Sequence, residues 1–127
     1  MNGLKNKGVM TWPNGEVYEG EFLENAMQGY GSYRWPDGSS YKGIWVENMM
    51  HGKGVYNAAD GTVYRGPFRF DKKEGQGEIT FPSGRIFKGQ FMNGVQHGAG
   101  EFFDQDGNSR MAAFEHGKRI GWLDEDP

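Results

Sequence analysis

The sequence predicts an all-β fold, a single-layer, elongated and twisted antiparallel sheet of consecutive β-hairpins that forms an open groove. The motif Y/F-x-G-x-W/F recurs with starts 23 residues apart, at Tyr18, Tyr41, Tyr64 and Phe87. Within each unit, large and small side chains alternate with the period of two that is typical of strands. Turn-forming residues separate the alternating segments. Self-similarity at a fixed period of this length indicates a repeat array.

Glycine follows the same period. All but three of the 22 glycines fall in four columns of the repeat, the third, twelfth, fourteenth and twenty-first. The glycine content is therefore a consequence of the repeat and not of low complexity. A helical array is a poor alternative, because each interior glycine would cost about 1 kcal/mol relative to alanine.

The whole chain, 1–127, is predicted to be one array. It divides into a partial repeat 1–17, four repeats at 18–40, 41–63, 64–86 and 87–109, and a degenerate C-terminal repeat or cap at 110–127. The last unit has Arg110 and Ala112 where the others have an aromatic residue and glycine. Because the array starts in mid-unit, the first strand either caps the sheet or belongs to a longer array. The acidic end LDEDP is interpreted as a frayed tail or a charge-protected edge.

Each unit contains two strands and two turns. The first strand is predicted from the alternation of Tyr41, Gly43 and Trp45, and the second from that of Gly52, Gly54 and Tyr56. The turns WPNG, WPDG, AADG, FPSG and DQDG supply an Asx or Ser before glycine. The other turn is expected to have a left-handed backbone in the column of Asn25, Asn48, Asp71, Gly94 and Gly117.

The strand glycines predict space for aromatic rings lying flat on one face. If Trp35 pairs with Tyr41, then Tyr33 lies opposite Gly43 and Gly31 opposite Trp45. A register shifted by two residues keeps the same face but changes these partners. Pro67 cannot donate a ladder hydrogen bond, so its strand is expected to bend or to leave that site unpaired.

Composition excludes several functional classes. The net charge of −3 and pI near 5.6 argue against nucleic-acid binding. The absence of cysteine excludes a disulfide scaffold and thiolate metal sites. With no membrane-length apolar run and no leader-like N-terminal segment, the expected location is the cytoplasm.

No catalytic, cofactor or metal site is predicted. The GxG motifs recur inside strands and lack the other residues of a phosphate loop. Glycine at 107 is misplaced for a calcium loop around Asp104 and Asp106. His51 and His97 share a column two units apart, about 20 Å along the sheet, so they are not expected to share a metal. We therefore expect the protein not to be an enzyme.

The pattern Y-x-G-x-W, six residues and then G-x-G, in 23-residue units from Gly8 to about Gly121, resembles the MORN (membrane occupation and recognition nexus) repeat. The resemblance implies a single-layer antiparallel sheet curled into a groove. It also implies a protein-interaction or dimerisation module in cytoskeletal, ciliary or membrane-associated assemblies. Phosphoinositide binding has been proposed for such repeats. Relatives carry adjoining enzyme domains, which leaves open that this chain is the regulatory fragment of a larger enzyme.

The aromatic row is the predicted partner-binding site, because a single-layer sheet has nothing of its own to cover that face. We expect it to take a helical or extended segment of a protein partner. The residues are Tyr18, Phe22, Tyr33, Trp35, Tyr41, Trp45, Tyr56, Tyr64, Phe68, Phe87 and Phe91. Met27, Met49 and Met50, interpreted as exposed turn residues, are predicted to form an adjoining patch for a partner or a second copy in a homodimer.

A different class of function is anionic-membrane or phosphoinositide binding through the basic row Lys42, Arg65 and Lys88. Interspersed glutamates make a solvated face the favoured interpretation of this row, and membrane association is disfavoured. The first prediction is thus a non-enzymatic scaffold. The scaffold is also expected to self-associate through an open end of the sheet, since edge strands leave backbone groups unpaired.

Overall fold

The computed structural model of the protein describes residues 6–123, which form one open antiparallel sheet of twelve strands. Met1–Lys5 and most of the acidic end, 124–127, lie outside the described residues. The strands are β1 (Asn6–Thr11), β2 (Val17–Leu23), β3 (Ala26–Arg34), β4 (Ser40–Val46), β5 (Met49–Asn57), β6 (Val63–Arg69), β7 (Lys72–Lys73), β8 (Gly75–Thr80), β9 (Ile86–Met92), β10 (Val95–Phe103), β11 (Ser109–Glu115) and β12 (Lys118–Trp122). No helix occurs in this part of the chain.

Strand order follows chain order throughout the sheet, with β8 beside both β6 and β9 and the short β7 paired to β6. Every neighbouring pair is antiparallel, so the sheet is a series of consecutive hairpins. The predicted fold class is confirmed.

The pairing proposed between neighbouring repeats is wrong by two residues, although the face is right. Tyr33 lies opposite Tyr41, Gly31 opposite Gly43 and Gly29 opposite Trp45. Glycine therefore meets glycine across the ladder. The reason is that each glycine of the pair leaves room for a different ring, Gly31 for that of Tyr18 and Gly43 for that of Tyr41.

The hairpin turns confirm the predicted left-handed column and extend it by one residue. Asn25 has φ of 69° and Asn48 has φ of 69°, and the residues before them, Glu24 and Glu47, also have positive φ. Two consecutive left-handed residues make a type I′ turn, whose twist matches that of the flanking strands. Sequence patterns did not indicate the first of the two, because glutamate rarely adopts this conformation.

The longer turns close as predicted around proline and glycine. In the first, the N–H of Gly15 donates to the carbonyl of Trp12 at 2.9 Å, and Gly15 has φ of 99°. In the second, the carboxylate of Asp37 accepts from the N–H and hydroxyl of Ser39, which lowers the pKa of that carboxyl.

Pro67 lies at a gap in the pairing of the third hairpin, which is one of the two expected results, while its own strand β6 continues through it. The second strand is continuous in three other units but splits here into β7 and β8, and the N–H of Glu74 donates to the Pro67 carbonyl at 3.1 Å. Because proline has no N–H, the ladder cannot run through this position.

Candidate functional site

The two sides of the sheet differ in character. The core face carries Tyr18, Tyr41, Tyr64, Phe87 and the rings around them, and the outer face carries Glu19, Lys42, Arg65 and Lys88. No second layer lies over the core face among residues 6–123, since all strands belong to one sheet.

The first ring of each repeat lies against two glycines. Tyr18, Tyr41 and Phe87 are 0% exposed and Tyr64 is 1% exposed. A methyl group added at Gly77 would approach the Tyr64 ring within 2.6 Å, so only glycine leaves room for the ring. These four rings were expected to remain partly accessible, and that expectation is wrong.

Hydrogen bonds hold the three tyrosines of this column in place. The hydroxyl of Tyr18 donates to the carbonyl of Glu21 at 2.8 Å, and Tyr41 and Tyr64 donate in the same way to Ile44 and Pro67. Burial raises the pKa of Tyr18 and of Tyr41 to about 12, and also raises the pKa of Tyr64.

The fifth residue of each motif links one repeat to the next. The Trp45 ring lies edge-on to Tyr41 of its own repeat at 5.2 Å and to Tyr18 of the preceding repeat at 5.6 Å, measured between ring centroids. Its indole N–H donates to the Gly31 carbonyl at 3.1 Å. The prediction that all rings lie flat is thus wrong for this column, because edge-to-face packing is the favourable geometry.

The accessible part of the core face is a subset of the predicted site. Buried residues are Tyr18, Tyr33, Tyr41, Trp45, Tyr64, Phe68, Phe87, Phe91 and Met27, whereas Phe22, Trp35, Tyr56, Met49 and Met50 are half-buried. Phe81, which the sequence also places in the aromatic row, is half-buried, and so are Trp12, Phe102 and Trp122 outside the predicted set. The repeat pattern could have identified two of these, because Phe102 shares the column of Tyr33 and Tyr56 and Trp12 shares that of Trp35, whereas Trp122 lies in the degenerate last unit. Partner binding by any of these residues remains a prediction.

The methionines are not turn residues. The turns are Glu24–Asn25 and Glu47–Asn48, and Met27 and Met49 lie in the strands that follow. Met27 is 8% exposed. The expectation of an exposed turn patch is therefore wrong, since the turn lies one pair earlier in the sequence.

In the second and third repeats, hydrogen bonds from one turn residue join the turn to the preceding repeat. We call this arrangement a clamp. The side-chain oxygen of Asn48 accepts from the N–H of Met27 at 2.8 Å, while the N–H of Asn48 donates to the carbonyl of Met27 at 3.1 Å. Asp71 makes the same pair of hydrogen bonds with Met50, at 2.7 and 2.9 Å. The left-handed turn thus also connects neighbouring repeats.

A cavity of about 310 Å³ opens on the core face in the middle of the array. Its walls include Trp35, Met50, Tyr56, Phe68 and Lys73. The ammonium of Lys73 lies 5.3 Å from the centroid of the Tyr64 ring and 6.0 Å from that of Tyr56. Burial lowers the pKa of Lys73. Aromatic walls with one cation can take an apolar group that carries negative charge.

The basic row of the outer face contains negative as well as positive side chains. Across the ladder, Arg65 lies opposite Glu78, and Lys88 lies between Glu78 and Glu101. Lys88 is 3.9 Å from the Glu78 carboxylate and 5.2 Å from the centroid of the Phe103 ring. From Glu19 to Glu101 this row carries three positive and three negative side chains, so the three predicted lipid-binding residues do not form an isolated basic patch.

A depression of about 400 Å³ on the outer face has the same mixed character. Lys7 and Lys42 line it together with Glu19, Glu21 and Tyr30. The carboxylate of Glu21 accepts from the N–H of Tyr30 at 2.6 Å. This balance of charges gives no preference for an anion.

The histidines have structural contacts. His51 Nδ1 accepts from the N–H of Phe70 at 3.3 Å, and the two rings are 4.7 Å apart. The His97 and His116 rings are 5.9 Å apart. Among residues 6–123, no group of three or more metal-binding side chains occurs. The same residues include no helix that is long and apolar enough to span a membrane.

The C-terminal unit differs in register from the others. Ala112 lies opposite Trp122, whereas the corresponding position elsewhere is a glycine pair. The Trp122 ring lies 3.8 Å from the Arg110 guanidinium and 4.3 Å from that of Arg119. It also packs on Phe102, with 6.0 Å between centroids. Trp122 therefore covers the end of the aromatic core.

The chain is similar to the MORN-repeat family, whose model matches residues 1–17, 18–40, 41–63, 64–84 and 87–109. Comparison with curated proteins gave no match.

Proposed function

Since the chain belongs to the MORN-repeat family, whose repeats are generally non-enzymatic modules for protein or membrane interaction, we propose that it is a scaffold. In this proposal, the half-buried rings of the core face bind a helical or extended segment of a protein partner, and the chain has no catalytic role. Cytoplasmic assemblies, including those of the cytoskeleton or cilium, are the proposed setting.

The observation that supports this proposal best is the uncovered core face. Trp35 and Tyr56 are half-buried and 5.9 Å apart, at the edge of an aromatic core that no second layer covers in residues 6–123. Burying accessible rings against a partner is favourable, and aromatic residues are frequent among binding hot spots.

Membrane binding through Lys42, Arg65 and Lys88 has weaker support. Adsorption to anionic lipids is strongest where basic residues cluster without acidic neighbours. Here Glu78 lies beside both Arg65 and Lys88. Self-association remains part of the proposal, because β1 and β12 are the edge strands of an open sheet.

A face-specific binding experiment tests the proposal. Peptides are selected from a random displayed library on the intact chain, and their affinities are measured for two matched variants. Trp35→Ser with Tyr56→Ser alters the core face, and Tyr30→Ser with Ile44→Ser alters the outer face, where these side chains are 51% and 37% exposed.

We expect the core-face variant to bind the peptides about tenfold or more weakly, because a loss of this size is typical when one hot-spot residue is removed. The outer-face variant should retain wild-type affinity. Circular dichroism and urea unfolding establish that both variants are folded. Equal binding by the core-face variant, or loss confined to the outer-face variant, would contradict the proposal.

A further inference from the structure

Lys73 is unlike its counterparts in the repeat. Its column holds Met27 and Met50 in the two preceding units and Gln96 in the next. Met27 is buried in the core, and Met50 packs against it. Lys73 therefore places an ammonium group where the two preceding units have a methionine beside the aromatic rings, and Arg119 occupies the same column in the last unit.

The surroundings of Lys73 do not neutralise its charge. Among the described residues, the one ion pair within 4.0 Å joins Lys88 and Glu78 and does not include Lys73. Asp71 lines the same cavity, but its side-chain oxygen accepts from the N–H of Met50 at 2.7 Å. Lys72 lines the cavity as well, so the three charged side chains there sum to a positive charge.

Desolvation makes this ammonium group receptive to an anion. Its pKa is lowered because it is partly withdrawn from water, which weakens the charged form. The rings of Tyr56 and Tyr64 supply only a cation–π attraction. A carboxylate entering the cavity would pair with the ammonium in a low-dielectric setting, where charges interact more strongly than in water.

The rest of the cavity selects for an apolar group. Trp35, Tyr56, Phe68 and Met50 form its walls. A volume of about 310 Å³ lies at the lower end of the range for ligand pockets and is enough for one large side chain. Its occupant therefore has an apolar group and a carboxylate close together.

We propose that the Lys73 cavity is the anchor site for an acidic segment of a partner protein, in which a large apolar side chain lies beside an aspartate or glutamate. The apolar side chain packs between Trp35, Tyr56 and Met50, and the neighbouring carboxylate pairs with Lys73 Nζ. This inference rests on the proposed function and specifies the chemistry of the partner.

Peptide selection with charge-altered variants tests the inference. A random displayed library is selected in parallel on the intact chain and on its Lys73→Glu, Lys73→Met and Lys53→Met variants. Lys73→Met is expected to fold, because methionine occupies this column in two other repeats. Lys53→Met is the matched control, since it removes the same charge from an exposed lysine that does not line this cavity.

On the intact chain, we expect enrichment of peptides that combine a large apolar residue with adjacent acidic residues. Lys73→Met should weaken their binding about fivefold to tenfold at low salt, as for a partly desolvated ion pair, and Lys53→Met by less than about twofold. The Lys73→Glu variant should instead select peptides in which basic residues lie next to the large apolar residue. This reversal is the outcome that a purely structural lysine would not give.

Three outcomes would overturn the inference. Peptides that need Trp35 and Tyr56 but show no acidic preference and bind Lys73→Met normally would remove the charge requirement and leave the proposed function standing. Absence of any peptide that binds the core face would contradict both. Lys73-dependent co-sedimentation with vesicles containing phosphatidylserine, without peptide selection, would assign the site to a membrane.

Discussion

The ring of Tyr41 lies against Gly54 in the next strand so closely that a methyl group there would overlap the phenol. Gly54 pairs with Gly43, which lies two residues after Tyr41, and the ring covers both glycines. The hydroxyl donates to the Ile44 carbonyl at 3.1 Å. Repeated in each unit, this relationship fixes the register of the sheet.

Gly54→Ala should destabilise the protein by about 1–3 kcal/mol, because overpacking forces the ring or the backbone to move. Urea unfolding measures the change. Gly121→Ala is the matched control, since a methyl group there would have no neighbour within 4 Å. Adding Tyr41→Ala to Gly54→Ala should cost less than the sum of the two single changes. Strict additivity would show that the two residues do not interact.

Two substitutions of Asn48 separate the contribution of the left-handed turn to stability from that of the clamp. Asn48→Gly keeps the left-handed backbone but removes the hydrogen bond to the N–H of Met27, and should cost about 1 kcal/mol. Asn48→Ala should cost about 1 kcal/mol more, because alanine disfavours a φ of 69°. Equal stability of the two variants in urea would mean that the backbone conformation contributes nothing.

Alkaline pH should destabilise the fold through its buried tyrosines. The pKa values of Tyr18 and Tyr41 rise to about 12 from the ordinary 10.0, so the folded state keeps protons that the unfolded state loses. Stability is fully present below about pH 10 and falls as pH rises through about 12, by up to about 1.4 kcal/mol per pH unit for each such tyrosine.

Unfolding free energies across this pH range measure the effect, and tyrosinate absorbance reports the titration. Tyr41→Phe is the control, since phenylalanine already occupies this column at Phe87. Its stability should depend less steeply on alkaline pH than that of the parent chain. A stability that does not change between about pH 10 and about pH 12 would contradict the account.

Trp122→Ala should loosen the C-terminal hairpin without affecting the centre of the array, because each repeat contacts mainly its neighbours. The change uncovers Phe102 and removes the ring between Arg110 and Arg119. Hydrogen exchange should quicken in β11 and β12 and stay unchanged in β4 and β5. Trp122→Phe should be milder. Uniform acceleration throughout the sheet would instead indicate a single cooperative unit.

Sequence reasoning predicted the hairpins, the common aromatic face, the left-handed turn column and an unpaired site at Pro67. It could not choose the register, because two registers that differ by two residues place the same side chains on the same face. The bulges within the hairpins are a further feature that the repeat pattern does not reveal. Between Gly43 opposite Gly54 and Trp45 opposite Met50 the register shifts, and Gly52 in the longer segment has φ of 91°.

The register must be known to predict the candidate site, whereas the fold class can be predicted without it. The balance of positive and negative charge in the outer row becomes visible only when Arg65 is placed opposite Glu78. These two residues belong to columns that are far apart in the repeat. The accessibility of each ring depends likewise on what lies across the ladder. Lys73 looked like one more charged turn residue until its strand placed it beside Tyr56 and Tyr64.

Indole resonances test the central claim, that a partner binds the core face, most directly. The protein has four tryptophans, and Trp12, Trp35, Trp45 and Trp122 all belong to or pack on the core. In a nuclear magnetic resonance titration with a selected peptide, the Trp35 indole signal should shift while the methyl signals of Ile44 on the outer face stay in place. Shifts at Ile44 with an unchanged Trp35 signal would contradict the account.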